Sequence, residues 1–173
     1  MNNKLGKNLV LTGMMGVGKT TVGKILAEKL SYSFIDVDKL IEKKEGTSID
    51  LIFKNKSENY FRKIENTISL NQLKKNKCVI SLGGGAFLMN SIRKAVKISA
   101  ISFWLDVNLS VLKSRLAHSK KRPLLLKGNL SETVSKIYFE RKHTYNEADY
   151  RIKCSFLKPE KIVKKVLDLY ENT

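Results

Sequence analysis

The residues best suited to chemistry in this chain are Gly13-Met14-Met15-Gly16-Val17-Gly18-Lys19-Thr20. They follow the apolar run Leu9-Val10-Leu11 and lead into a helical pattern from Lys19 to Leu30. The spacing G-x-x-x-x-G-K-[ST] between a strand and a helix is that of a phosphate-binding loop. Glycines let backbone N–H groups turn inward and let a phosphate come close. The helix that follows adds the positive end of its dipole. Lys19 can place a cation against β- and γ-phosphates, and the Thr20 hydroxyl can ligate Mg²⁺. A glycine-rich turn that spells the motif by chance is the bland alternative, and the flanking strand and helix argue against it.

Three further groups could do chemistry. Asp36 and Asp38 lie two apart and share a face if they sit on a strand. Paired acids at a strand end suit a metal and a hydroxyl that must lose a proton. Taken alone, a turn with an N-cap explains them better, since Asp38 could cap the helix that starts at Lys39-Leu40-Ile41-Glu42. Arg62 and Glu65 lie three apart on a helical pattern, where a surface ion pair is the default. Gly83-Gly84-Gly85 ends the apolar run Cys78 to Leu82. Six of the 10 glycines fall in this run and the first loop. Both loops follow buried strands, where α/β proteins bind ligands. The glycine run offers backbone N–H groups to an anionic or polyhydroxy ligand, or else is a flexible connection. Asp106, after Ala100 to Leu105, is a rival to Asp36 as a metal-binding strand end, or starts the helix from Leu109 to Leu116.

The elements that must position these residues alternate along the chain. Strands are expected at Lys7–Thr12, Ser33–Asp38, Cys78–Leu82, Ala100–Leu105 and Tyr150–Cys154. Helices fall between them, with Gly46 ending one, Ser131 capping another and Pro159 opening the last. Phe61, Ile64 and Ile68 form the apolar stripe of the helix from Ser57 to Lys75. From Ala117 to Gly128 the pattern breaks into a basic and polar segment that reads as a flap carrying cations. His118 has no second ligand at metal spacing, and His143 reads as a solvated helix residue. No internal repeat or linker divides the chain. The expectation is one α/β domain over residues 1–173, a parallel sandwich with right-handed crossovers.

Composition narrows the class. The chain has 173 residues, 42% hydrophobic and 28% charged, ordinary for a soluble globular domain. No apolar run approaches the ~20 residues of a membrane span, and the first residues lack a signal-peptide core. Cys78 and Cys154 read as buried thiols of a reducing, cytoplasmic compartment. The net charge is +17. Lysines dispersed over solvated faces explain it better than a nucleic-acid site, because basic and aromatic residues do not interleave in a recognisable module.

Taken together, these motifs resemble the shikimate kinases over nearly the whole chain. The resemblance rests on Gly13 to Thr20, on Phe34 to Asp38 with Leu40-Ile41-Glu42, on Tyr60-Phe61-Arg62 with Ile64-Glu65, and on Leu82 to Ala86. Arg122-Pro123-Leu124-Leu125 and Arg141 four residues before Tyr145 add to it. The phosphate loop alone is shared by many kinases, whereas the ordered set is specific. The resemblance implies transfer of a phosphoryl group from ATP to the 3-hydroxyl of shikimate. It implies a three-layer α/β/α sandwich with a five-stranded parallel sheet in the order 2-3-1-4-5, as in nucleoside monophosphate kinases. A lid would span about 117–128 and a substrate-binding segment about 38–67.

The implied roles follow the motifs. Gly13, Gly16, Val17, Gly18, Lys19, Thr20 and Thr21 would hold the nucleotide phosphates, with Arg115 and Pro159 bordering the adenine. Thr20 and Asp36 would hold Mg²⁺. Asp38 would orient or deprotonate the attacking hydroxyl. Arg62 and Arg141 would grip the shikimate carboxylate, with Glu65 orienting Arg62, and Gly83, Gly84 and Gly85 would contact the substrate by backbone. Arg122 would meet the transferring phosphate beside Lys19. The chain departs from the family pattern at Val37, where serine is frequent, and in carrying Lys120 and Lys121 beside Arg122. A monomer without nucleic-acid or membrane partners is expected. The rival readings are a kinase of the same fold acting on gluconate or a nucleoside monophosphate, a basic nucleic-acid-binding protein switched by ATP, and a degenerate kinase kept for binding.

Overall fold

A computed structural model describes residues 6–117 and 129–172. The expected flap and its Arg122, Lys120, Lys121 and His118 therefore lie outside the described residues, apart from Ala117.

Five strands form one parallel sheet: β1 (Asn8–Thr12), β2 (Ser33–Asp36), β3 (Cys78–Ser81), β4 (Ala100–Asp106) and β5 (Tyr150–Lys153). Their order is β2-β3-β1-β4-β5, as expected. Every residue of β1, β3 and β4 is buried, which requires cover on both faces of the sheet. The helices supply it: α1 (Lys19–Leu30), α2 (Val37–Glu45), α3 (Ile49–Asn55), α4 (Glu58–Leu73), α5 (Asn90–Ser99), α6 (Leu109–Ala117), α7 (Leu130–Tyr145) and α8 (Pro159–Glu171). Helix α1 packs against α8, and α4 against α5. The fold is a three-layer α/β/α sandwich of the kind nucleoside monophosphate kinases share.

Local chemistry sets the helix ends. Gly46 ends α2 in the left-handed region at φ 65°, where glycine is least strained. Ser48 and Ser57 cap α3 and α4 through their side chains. Two expectations are corrected. Strand β2 stops at Asp36, and α2 begins at Val37. Asp36 and Asp38 thus do not share a strand face; Asp36 is the N-cap, its carboxylate accepting from the Lys39 N–H at 3.3 Å. Val37 points into the core, fully buried, so its departure from serine fills apolar space. Helix α7 is capped not by Ser131 but by Asn129, whose side chain accepts from the Ser131 N–H at 2.9 Å.

Candidate active site

The phosphate loop joins β1 to α1. Gly13 adopts φ 130°, and a Cβ there would stand 2.6 Å from the Leu105 carbonyl oxygen. No other residue fits that turn against β4. Gly16 and Gly18 also have positive φ, and Val17 is buried. The Lys19 ammonium bridges the loop, donating to the Gly13 carbonyl at 2.8 Å and the Met14 carbonyl at 2.9 Å. Thr20 donates to Asp36 Oδ2 at 2.8 Å. The two residues expected to hold a metal therefore meet, one from α1 and one from the end of β2. Thr21 lies on the exposed side of the first turn of α1.

Asp106, the rival strand-end acid, is engaged within the fold. One of its carboxylate oxygens takes the Arg151 guanidinium at 2.7 Å and the other the Tyr138 hydroxyl at 3.1 Å. It fastens β5 and α7 to β4. Arg115 is exposed near the end of α6, and Pro159 opens α8. Cys154 begins the connection from β5 to Pro159, and the charge of Arg115 is felt at its thiol. Cys78 and Cys154 are buried, and burial pushes the Cys154 thiol up to about 12. His143 is solvated.

Beside the loop lies a cavity of about 250 Å³. Asp38, Arg62, Glu65, Gly84, Gly85 and Arg141 all line it, although they come from α2, α4, the β3–α5 connection and α7. Gly83 lies behind it: a Cβ there would fall on Glu65 and Asp38. A Cβ on Gly85 would fall on the Arg62 guanidinium. The glycine run is bare because charged side chains pack directly on its backbone. Sequence reasoning missed the wall opposite. Met15, Ile49, Phe53 and Phe61 make it apolar, and Glu42, Ser48 and Asp50 add polar groups. The stripe on α4 marked Phe61 as core, which it is, but nothing local shows that its ring also faces a cavity.

Arg62 donates to Glu65 at 2.6 Å and to Glu58 at 3.0 Å. This is no surface pair, because Glu65 is only 1% exposed. Burial pushes the Glu65 carboxyl up to about 7; Arg62 and Arg141 draw it down, and Asp38 adds repulsion. Burial also works against charge on Arg62, but Glu65 and Glu58 outweigh it and hold the guanidinium above its ordinary range. The carboxylate is thus the weaker member of the pair, since one guanidinium does not offset its loss of water beside a second acid. Glu65 Oε1 has no hydrogen-bond partner among the described residues. Arg141, 8% exposed, donates to the Gly84 carbonyl at 3.0 Å. Tyr145, to which the sequence motifs assign no role of its own, donates to the same oxygen.

A phosphate cradle therefore adjoins a small cavity lined by two guanidiniums, several acids and an apolar wall. Known proteins share this fold. The solved shikimate kinase from Acinetobacter baumannii, in complex with shikimate, superposes with a TM-score of 0.93 at 31% identity, over 98% of this chain and 96% of that one. Shikimate kinase from Aquifex aeolicus gives 0.83 at 37% identity, over 95% and 96%. A gluconokinase from Sinorhizobium meliloti, 18% identical with a TM-score of 0.57, shares the fold alone. Among curated relatives, the shikimate kinase of Sulfurihydrogenibium sp. is 41% identical over 161 residues, 93% of this chain and 96% of the relative. The family model described as shikimate kinase matches residues 15–171, a span that runs from within the phosphate loop through the cavity residues and α7, and this chain belongs to the shikimate kinase family.

Proposed function

We propose that the chain transfers the γ-phosphoryl group of ATP to the 3-hydroxyl of shikimate, giving shikimate 3-phosphate and ADP. The observation that carries this reading is the convergence of Arg62, Arg141 and Asp38 on one cavity beside the phosphate loop. Two planar guanidiniums suit one carboxylate. Asp38 suits the hydroxyls of the same ring, and the apolar wall suits its face.

The chemistry then follows from position. Residues Gly13 to Thr21 hold the phosphates, and Lys19 neutralises charge that develops between the β- and γ-phosphates. Asp38 accepts the proton of the attacking hydroxyl as the new O–P bond forms and ADP departs. The Gly83 to Gly85 backbone and the arginines fix the ring so that one hydroxyl faces the phosphate. Thr20 and Asp36 fit Mg²⁺: one hydroxyl and one carboxylate, already in contact, match an ion that keeps waters and phosphates as its other ligands. When bound, Mg²⁺ supplies further neutralisation of phosphate charge. Arg122, in a lid over about 117–128, adds a second cation for the transferring phosphate beside Lys19, and residues 38–67 form the substrate-binding part of a single domain spanning 1–173. Arg115 and Pro159 border the adenine. Two buried thiols fit a reducing cytoplasm, and the chain acts as a monomer. Among the described residues no helix is long and apolar enough to cross a membrane.

A coupled assay of ADP release, with shikimate, gluconate and AMP offered in parallel, tests the proposal. Shikimate alone should drive turnover well above the rate without acceptor. Equal or greater turnover with gluconate or AMP overturns it.

A further inference from the structure

The Gly84 carbonyl has two donors from α7, one turn of helix apart. Arg141 Nη1 reaches it at 3.0 Å, and the Tyr145 hydroxyl makes a short bond to it. Tyr145 is fully buried, with its ring 5.9 Å from that of Trp104 and its hydroxyl 3.9 Å from the Met14 sulfur. Met14 lies in the phosphate loop, and Trp104 on the fully buried strand β4. The phenol is therefore fixed by the scaffold and not by the cavity it serves.

A phenylalanine would fill this site without the cost of burying a hydroxyl. The hydroxyl instead spans 61 residues of sequence to hold one peptide oxygen. That peptide joins Gly84 to Gly85, both of which line the cavity. Peptide groups are planar, and no cis bond occurs among the described residues. Holding the Gly84 oxygen toward α7 therefore turns the Gly85 N–H the opposite way. Two glycines in succession have no side chains to enforce that orientation. Arg62 is steered by carboxylates, Glu65 and Glu58. Arg141 is anchored on the Gly84 oxygen that Tyr145 holds.

We propose that the Tyr145 hydroxyl is a positioning group for the acceptor substrate, fixing the Gly84–Gly85 peptide and, through the shared oxygen, the Arg141 guanidinium. The inference rests on the reading of this cavity as the shikimate site. Burial pushes the phenol above its ordinary range, so it remains a donor at neutral pH.

Tyr145→Phe removes one oxygen and keeps the ring. Shikimate and an ATP analogue are titrated separately by calorimetry into wild type and variant. Trp104 is the sole tryptophan, so its fluorescence reports whether the ring still packs. The shikimate Kd should rise about threefold to tenfold, the loss expected for one hydrogen bond. The nucleotide Kd and the emission maximum should hold. A second variant carrying 4-aminophenylalanine at 145, which restores a donor, should recover most of the affinity. Unchanged shikimate binding in Tyr145→Phe overturns the inference. So does a joint loss of both ligands with shifted emission, which marks a packing role, and so does failure of the amino variant to rescue. Wild-type protein that does not bind shikimate refutes instead the proposed function.

Discussion

Replacing Glu65 by glutamine should flatten a pH dependence of stability that the wild-type chain carries. In the folded chain this carboxyl is 1% exposed and titrates at about 7, against an ordinary value of 4.5. Between those two values the folded state holds a proton that the unfolded state has released. Stability therefore falls as pH rises: the contribution is complete below 4.5 and gone once pH passes about 7. One proton held across one pH step is worth about 1.4 kcal/mol, so the whole window carries about 3 kcal/mol. Arg62 stays charged throughout, and Asp38 and Arg141 are present in both proteins, so their own effects largely cancel in the comparison. Glutamine keeps an acceptor for Arg62 and has no proton to exchange. Urea unfolding in steps from roughly pH 4.5 to 8.5, extrapolated linearly to water, gives the two stability curves. The wild-type curve minus the variant curve should decline by about 3 kcal/mol across the window. A flat difference refutes the reasoning. A rising one does so more strongly, because it would mean that Arg62 outweighs burial and stabilises the ionised form.

Three other outcomes follow from the same geometry. Lys19→Ala should leave thermal unfolding near wild type while removing most turnover, since the cation over the phosphate loop is lost; a folded variant with near-normal ADP release contradicts that role. Arg62→Lys and Arg141→Lys keep charge but lose the planar fork, and each should weaken shikimate binding by ~1.5–3 kcal/mol, roughly tenfold to a hundredfold, with nucleotide affinity held; calorimetry that finds the loss on the nucleotide side reassigns both residues. Gly85→Ala leaves the backbone unstrained at φ −103° but sets a methyl on the Arg62 guanidinium, so shikimate affinity should fall about tenfold while the nucleotide binds as before, and an unaffected Kd would show that Arg62 has room to move.

What was legible in the sequence was local. The phosphate loop declares itself because each residue type meets a need within eight positions. Gly46 and Pro159 mark helix ends by their own backbone preferences. The pair Asp36 and Asp38 shows where local reading stops. Their spacing of two means a shared face only on a strand, and the chain changes to helix between them, so the acids part: one caps the helix and meets Thr20, the other faces the cavity. The spacing of Arg62 and Glu65 foretold their contact but not its burial, which depends on the glycine run that closes over them from β3. Without the family pattern, a surface pair was the sound default. Tyr145 lay furthest from reach, because its meaning is a single carbonyl far away in sequence and adjacent only once β3, β4 and α7 have docked.

The charges of the cavity argue for its substrate independently of kinship. Asp38, Glu42, Asp50 and Glu65 face it together with Arg62 and Arg141. Glu42 is engaged, accepting from the Ile49 N–H at 3.1 Å where α3 begins. Glu65 is paired with Arg62 and poised near neutrality. Asp38 and Asp50 line the same cavity. A phosphate monoester, as on a nucleoside monophosphate, would bring two negative charges against them, and like charges at such distances are strongly disfavoured. A single carboxylate meets the two guanidiniums and leaves hydroxyls to donate to the acids. The opposite wall separates a ring from an open chain. Phe53 and Phe61 pack with centroids 4.8 Å apart, beside Ile49 and Met15, and these carbons give no partner to hydroxyls. A sugar acid in extended form carries hydroxyls along its length and would bury some of them unpaired against that wall, at about 1–3 kcal/mol each. The unsaturated edge of a cyclohexene carboxylate suits the aromatic side of this cavity, and its hydroxyls suit the acids, as the proposed function requires.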